Sequence, residues 1–300
     1  MSTFDEVQPL PVDWLLPGMI ALGETTVLAA KGGSSKTFLA IDLAARVTTG
    51  SAMPDGTDGG PPGDVIVVSA EDDPNTSLVW RLMAAGADLS RVVNLCDVDG
   101  VPFSLPGHFT ALRQAITAAD NCRLIVLDPL SGLSDVSLTA VATVRKLIMR
   151  PLQCVARDFG VALLLVHHLT KDGKTVAGSA AVVDTTRSAL LVEPDSDNPA
   201  VKVVRVHKTN IGAPSTAPLR YRLSGDWPQT SVEWLDSETA ETGPAMQRVL
   251  MALRNSGHPL TTQQLATMTG LNHGHVRVIV HRLGKSGVVQ QPAKGLYAAA

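Results

Sequence analysis

The sequence predicts an α/β fold: a mostly parallel central sheet covered by helices, then a small C-terminal domain of three helices and a β-wing. Three observations lead there. Strand-like and helix-like segments alternate over the first two thirds of the 300 residues, as expected of βα units. Several strand candidates are continuous apolar, β-branched runs, which suits strands buried on both faces. After about residue 237 the pattern changes to short amphipathic helices, and the charge changes with it.

The elements follow in order. Residues 27–30, entered through Thr25-Thr26, read as the first strand and residues 38–47 as a helix. Residues 51–63 are a Gly/Pro-rich loop, and 64–70 are a buried strand. Residues 74–85 are helical, with Leu78, Leu82 and Met83 on one side. Residues 109–119 form another helix and 123–128 another buried strand. Residues 138–159 are helical, with Pro151 as a point of interruption. Residues 161–167 are a fourth strand, and 183–192 and 201–207 two more. In the C-terminal part, residues 245–255 are helical with Val249, Leu250 and Leu253 inward. Residues 261–270 are a short helix with Thr caps and a closing Gly. Asn272 caps a third helix with Val276, Ile279, Val280 and Leu283 inward, and residues 287–297 read as a two-stranded wing. The predicted division is 1–236, a linker at 237–243, and 244–300.

Composition narrows the class. With 45% hydrophobic and 18% charged residues the chain is globular rather than disordered. Its longest apolar run in a strand pattern, residues 161–166, is far short of the roughly 20 residues that cross a bilayer, so no membrane partner is expected. Residues 1–11 are acidic and polar, unlike a signal peptide. Cys96, Cys122 and Cys154 are odd in number and lack CxxC spacing, so they read as buried free thiols of a cytoplasmic protein. Residues 244–300 hold six basic and no acidic residues, while 1–243 hold 19 basic against 28 acidic. A basic module on an acidic body points to an anionic partner.

The chemistry starts in the loop Lys31-Gly32-Gly33-Ser34-Ser35-Lys36-Thr37, set between a strand and a helix. That layout is a phosphate-binding P-loop. Consecutive backbone N–H groups curl round phosphates, Lys36 neutralises β/γ oxygens, and Thr37 can ligate Mg²⁺. Two glycines of the pattern are replaced, by Ala30 and Ser35; a plain turn before a helix is the other reading. Asp128 ends a buried strand, where it either holds Mg²⁺ through water or caps the next turn. Glu71, after the strand ending at Ala70, either activates water or belongs with Asp72 and Asp73 to a helix start. His167-His168 closes the fourth strand, and alternation sends one ring to the core and the other toward phosphate. Arg187 is either a surface arginine or a group supplied to a neighbouring subunit.

In the order and spacing of six motifs over residues 10–225, the chain resembles the RepA-type hexameric replicative helicases of plasmids, which have a RecA-like ATPase core. The motifs are residues 12–17, the P-loop, Ala70-Glu71-Asp72-Asp73-Pro74 with Arg81-Leu82, Val126-Leu127-Asp128, Leu165-Val166-His167-His168, and residues 178–187; His207-Lys208-Thr209-Asn210-Ile211-Gly212-Ala213-Pro214 follows. The resemblance implies ATP and Mg²⁺ as cofactors, with Lys36 and Thr37 on phosphate and metal and Asp128 in the second motif. It implies Glu71 as the catalytic carboxylate, His168 as the γ-phosphate sensor, Arg187 as an arginine finger acting on the neighbour's ATP, and Lys208 near the same interface. It also implies a homo-oligomer, a hexamer, with single-stranded DNA in the ring. The family has Gly where Ser35 stands, which puts turnover in question. Lys31 gives the loop a likeness to ParA-type partition ATPases, against which Glu71, Arg187 and Lys208 argue.

Residues 244–300 are an addition to that family. They look like a winged helix-turn-helix domain, with His273, Arg277 and either His281 or Arg282 facing a major groove of duplex DNA and Lys294 of the wing meeting phosphate; a protein-binding role is the alternative. The function expected is a DNA-coupled ATPase, a helicase or motor of plasmid or phage replication. The alternatives are an ATP-gated DNA-binding regulator, a partition-like factor or a helicase loader with slow or no hydrolysis.

Overall fold

The computed structural model describes residues 3–170, 176–178, 180–212, 217–235, 244–285 and 287–299, without the side chains of Pro244, Gln247, Arg282 and Lys285. The predicted linker at 237–243, Ser179 and residues 213–214 of the last motif lie outside that description. The chain divides into two compact units: Met1–Glu193 with Lys202–Trp234, and Pro194–Val201 with Leu235–Ala300.

The first unit opens with a hairpin, β1 (Trp14–Leu16) and β2 (Ile20–Ala21). Then come β3 (Thr25–Ala30), α1 (Lys36–Thr49), β4 (Asp64–Ser69), a π-type turn (Pro74–Leu78), α2 (Val79–Ala84) and β5 (Val92–Asn94). A second hairpin, β6 (Asp97–Val98) and β7 (Val101–Pro102), precedes α3 (Phe109–Ala118) and β8 (Cys122–Asp128). After α4 (Val141–Val144) a π-type turn (Arg145–Met149) leads into α5 (Arg150–Phe159). The unit continues with β9 (Ala162–His168), α6 (Ala180–Thr185), β10 (Ser188–Pro194), β11 (Lys202–Thr209), β12 (Leu219–Ser224) and β13 (Ser231–Leu235).

Nine strands form one sheet in the order β13-β12-β11-β10-β3-β9-β8-β4-β5. The six from β10 to β5 are parallel, and β11 pairs antiparallel with β12. This mixed α/β architecture with a large, mostly parallel sheet fits a RecA-like P-loop fold. Side-chain alternation builds two cores. Leu28 and Ala30 of β3 join one core with α1, α2 and the first hairpin, while Val27 and Ala29 join the other with α3, α4 and α5.

Three expectations are corrected. Residues 183–185, read as strand, are the end of α6, because the carbonyls there are capped by a lysine from β11 that local pattern does not reveal. Pro151 does not end its helix. It lies in the first turn of α5 directly after the π-type turn, where a locally widened helix tolerates the missing N–H. The three thiols are free but not buried: Cys96 and Cys122 are half-buried and Cys154 is exposed. Burial still pushes the Cys122 pKa up to about 12.

The second unit holds α7 (Pro244–Ser256), β14 (Leu260–Thr261), α8 (Thr262–Thr269), α9 (His273–Lys285), β15 (Val289–Ala293) and β16 (Leu296–Ala299). Its strands pair as β14-β16-β15. Thr261 and Gln264 form a capping box at α8, and Gly270 closes that helix at φ +67°. Val249, Leu265, Val276, Ile279, Val280 and Leu283 are buried in one core. Among the described residues, no helix is long and apolar enough to cross a membrane.

Candidate nucleotide-binding site

The loop between β3 and α1 lies at the C-terminal edge of the parallel strands. Gly33 has φ +70°, and an added Cβ at Gly32 or Gly33 would meet nothing within 4 Å, so the loop faces open space where an anion has room. Ser35 caps α1 at φ +59°, ψ +25°, a left-handed conformation. For a residue with a Cβ that conformation costs roughly 1–2 kcal/mol, which is why glycine suits the position. The Ser35 hydroxyl lies 2.6 Å from the Ser34 carbonyl, to which it donates, and 3.0 Å from the Tyr221 hydroxyl.

Lys36 is buried, and its ammonium turns back onto the loop, 3.2 Å from the Lys31 carbonyl and 3.5 Å from that of Ala30. Desolvation lowers its pKa, and the charges of Asp128 and Glu71 partly restore it. Lys31 itself is exposed. Asp128 is buried at the end of β8, and burial pushes its pKa up to about 6 against a hydrogen bond from Thr37. Its Oδ2 has no hydrogen-bond partner among the described residues. A buried carboxylate oxygen left open beside a threonine hydroxyl is a fitting donor set for Mg²⁺, a hard cation that keeps waters and shares its shell with phosphate. This pair therefore fits the implied metal, and the loop fits the implied phosphates.

Glu71, exposed beyond β4, lines the same cleft as Lys36, Thr37 and Asp128. Its neighbours do other work. Asp73 accepts from the Asn75 and Thr76 amides, each at 2.9 Å, and so starts the helical turn. Asp72 pairs with Arg81, whose guanidinium lies 4.7 Å from the centre of the Phe38 ring. The two histidines separate as alternation demands. His167 is buried, with its pKa lowered to about 4 by desolvation and by the charges of His168 and Lys36. His168 faces the cleft, with Nδ1 3.4 Å from the Lys36 ammonium and Nε2 3.8 Å from Glu71. An ammonium can only donate, so Nδ1 accepts and a neutral His168 carries its proton on Nε2, toward Glu71. The ring thus lies between Lys36 and Glu71.

Arg187 and Lys208 are not in this cleft. Arg187 immediately precedes β10, with its amide on the Thr25 carbonyl at 3.2 Å and its Nε 3.9 Å from Glu24. That is the N-terminal edge of β3, roughly 17 Å of strand from Ala30 at about 3.3 Å per residue. The Lys208 ammonium donates to the carbonyls of Val183, Asp184 and Thr186, at 2.9, 3.1 and 3.3 Å. Asn210 donates to the Arg187 carbonyl at 2.9 Å. The predicted site residues thus sort into two clusters, one at each edge of the sheet.

In the C-terminal unit, His273, Arg277, His281 and Lys294 are exposed. The His273 ring lies 2.9 Å from the Thr262 hydroxyl, which ties α9 to α8. The Arg282 side chain lies outside the described residues.

The sequence reading missed Tyr221 and Leu223 of β12. Leu223 lines the cleft, and Tyr221 touches the loop from within the core. The alternation Leu219-Arg-Tyr-Arg-Leu223 was a visible strand signal, but nothing local says that this strand reaches the loop. A family model described as an AAA domain matches residues 2–174. The match spans more than half of the chain and includes the loop, Glu71, Asp128 and His168; it ends before Arg187, Lys208 and the C-terminal unit.

Proposed function

The chain belongs to the AAA domain family of P-loop ATPases, and from that premise we propose that it is an ATP-hydrolysing, RepA-like ring ATPase acting on DNA, a replicative helicase or motor of a plasmid or phage. One observation carries the reading: Arg187 lies at the sheet edge opposite its own phosphate loop. An arginine so placed cannot reach a phosphate on Lys36 of the same chain. A second copy that sets its Arg187 edge against the first copy's cleft can, and repetition of that head-to-tail contact closes a ring, here a hexamer. Lys208 and Asn210 hold the turn that would present the arginine.

In this reading residues 31–37 hold the ATP phosphates, with Lys36 against the β/γ oxygens. Thr37, and Asp128 through water, hold Mg²⁺, which when bound neutralises charge on the phosphate oxygens. Glu71 orients the attacking water and accepts its proton, and His168 reports the γ-phosphate to Glu71 across the 3.8 Å between them. The C-terminal unit acts as a winged helix-turn-helix. Helix α9 enters the major groove with His273 and Arg277, and Lys294 of the wing meets phosphate. What supports this is the three-helix, three-strand layout and the absence of Asp and Glu from residues 244–300, although Asp197 of the 194–201 segment lies 2.7 Å from His275 of α9.

The test is ATPase rate per subunit against protein concentration, with and without single-stranded DNA. The rate should rise with concentration and rise again with DNA. A rate per subunit that is flat in concentration and indifferent to DNA refutes the ring motor. The Cβ of Ser35 in the cradle favours a second reading, an ATP-gated DNA-binding regulator, partition-like factor or helicase loader with slow hydrolysis. Such a protein binds a duplex site and unwinds nothing in a strand-displacement assay.

A further inference from the structure

We propose that Tyr221 is a positioning residue of the phosphate loop: through Ser35 its hydroxyl holds the loop in a conformation that a glycine would adopt unaided. This rests on reading the loop as a nucleotide site.

The hydrogen-bond geometry assigns the protons. The Ser35 hydroxyl has one proton, and at 2.6 Å it goes to the Ser34 carbonyl. The contact at 3.0 Å between Ser35 Oγ and Tyr221 Oη therefore has the tyrosine as donor and the serine lone pair as acceptor. Tyr221 Oη also lies 3.4 Å from the Ser34 carbonyl. Tyrosine hydroxyl, serine hydroxyl and carbonyl thus form a short relay across the left-handed turn. The relay offsets the strain of a Cβ at φ +59°, and a left-handed serine without it would tend to relax toward φ below zero. That relaxation would turn the loop amides away from the cleft and disturb the first turn of α1.

Tyr221 is suited to this because it is fixed. The ring is fully buried, and the Trp234 ring packs against it with centroids 5.4 Å apart. Trp234 Nε1 in turn donates to Asp42 of α1 at 2.7 Å, and Arg46 holds the same carboxylate at 2.8 Å. Burial also pushes the phenol pKa up to about 12, so the hydroxyl keeps its proton at neutral pH. A phenylalanine would fill the same core volume. A buried hydroxyl is costly unless paired, and this one is paired with the loop. The antiparallel end of the sheet thereby acts on the phosphate loop that follows the central strand β3, and the glycine missing from the sequence motif is replaced by two residues 186 positions apart.

The test is equilibrium titration of the full chain with a fluorescent ATP analogue and Mg²⁺, for Tyr221→Phe, Ser35→Ala, Ser35→Gly and the Ser35→Gly/Tyr221→Phe double variant. Loss of one net hydrogen bond predicts about 2- to 12-fold weaker binding for Tyr221→Phe and for Ser35→Ala. Ser35→Gly, free of the strain, should bind about 3-fold or more tighter than Ser35→Ala. In the glycine background Tyr221→Phe should cost less than about 2-fold. Equal losses in both backgrounds, or equal affinity of the Ala and Gly variants, overturns the proposal while leaving the nucleotide reading intact. The Ala/Gly comparison carries the test by itself if Tyr221→Phe does not fold. If the unaltered chain binds no nucleotide, the functional reading falls and this proposal with it.

Discussion

Replacing Lys208 by Met tests what the residue does inside its own subunit, apart from any part it has near the proposed subunit interface. The ammonium donates to three carbonyls at the end of α6, at 2.9, 3.1 and 3.3 Å. The Val183 carbonyl also accepts from the Thr186 hydroxyl at 2.9 Å, and the cation suits the negative end of the helix. A hydrogen bond to a charged group is worth about 1.5–3 kcal/mol. The three share one half-exposed ammonium, and water can replace part of what is lost, so the whole set is worth about 2–3 kcal/mol rather than a multiple. For a unit of this size about 1 kcal/mol moves Tm by roughly 2–4 °C, so Lys208→Met should lower Tm by roughly 4–12 °C in the absence of nucleotide. Arg187→Ala is the control: its partner Glu24 is 3.9 Å away and the arginine is 43% exposed, so the pair contributes about 0–1 kcal/mol and Tm should move by less than about 4 °C. Scanning calorimetry on the three proteins, with ATPase rates beside it, reads both effects. A Lys208→Met protein whose Tm stays within about 1 °C of the unaltered chain refutes the capping argument and leaves a role at the subunit interface.

Three further outcomes are expected. Glu71→Gln should keep ATP binding and remove hydrolysis; an unaltered turnover rate would remove Glu71 from the catalytic role. Asp128 has a folded pKa of about 6 against an ordinary 3.8, so its favourable contribution is complete below pH 4 and is lost as pH rises through 6. Asp128→Asn should therefore stabilise the nucleotide-free protein by roughly 1–3 kcal/mol at pH 7.5 and so raise its Tm, less so at pH 5, while Mg²⁺-dependent hydrolysis is lost; an equal gain at both pH values contradicts the assignment. Arg277→Ala should weaken duplex DNA binding and, if the contact is to phosphate, reduce the salt slope by about one; a filter-binding series in which affinity and slope both stay put removes α9 from the DNA interface.

Much of the first unit is legible because its signals are local. The runs at 64–69 and 122–128 are apolar and β-branched, and both are strands with two buried faces. Asp73-Pro74 is a helix start in the sequence and in space. The separation of His167 from His168 follows from the period of a strand alone. Where reading failed, a distant group had decided. Residues 183–185 run into the apolar strand that follows them, yet a lysine 22 or more positions away caps them as a helix. Pro151 signals an interruption, and the neighbouring π-type turn accommodates it.

The phosphate loop shows the same boundary. Sequence by itself determined that a strand, a Gly-rich turn with Lys36 and Thr37, and a helix follow one another, because backbone conformation and helix entry depend on neighbouring residues. It also marked Ser35 as the wrong residue for the motif. Tertiary structure alone decided that Ser35 takes the left-handed conformation regardless, with the Tyr221 hydroxyl 3.0 Å away, and that Arg187 stands at the far edge of the sheet from the loop it follows in sequence. Both depend on strand order, which brings β12 toward α1 and sets β10 beside β3. Strand order is a property of non-local pairing, and no window of residues contains it.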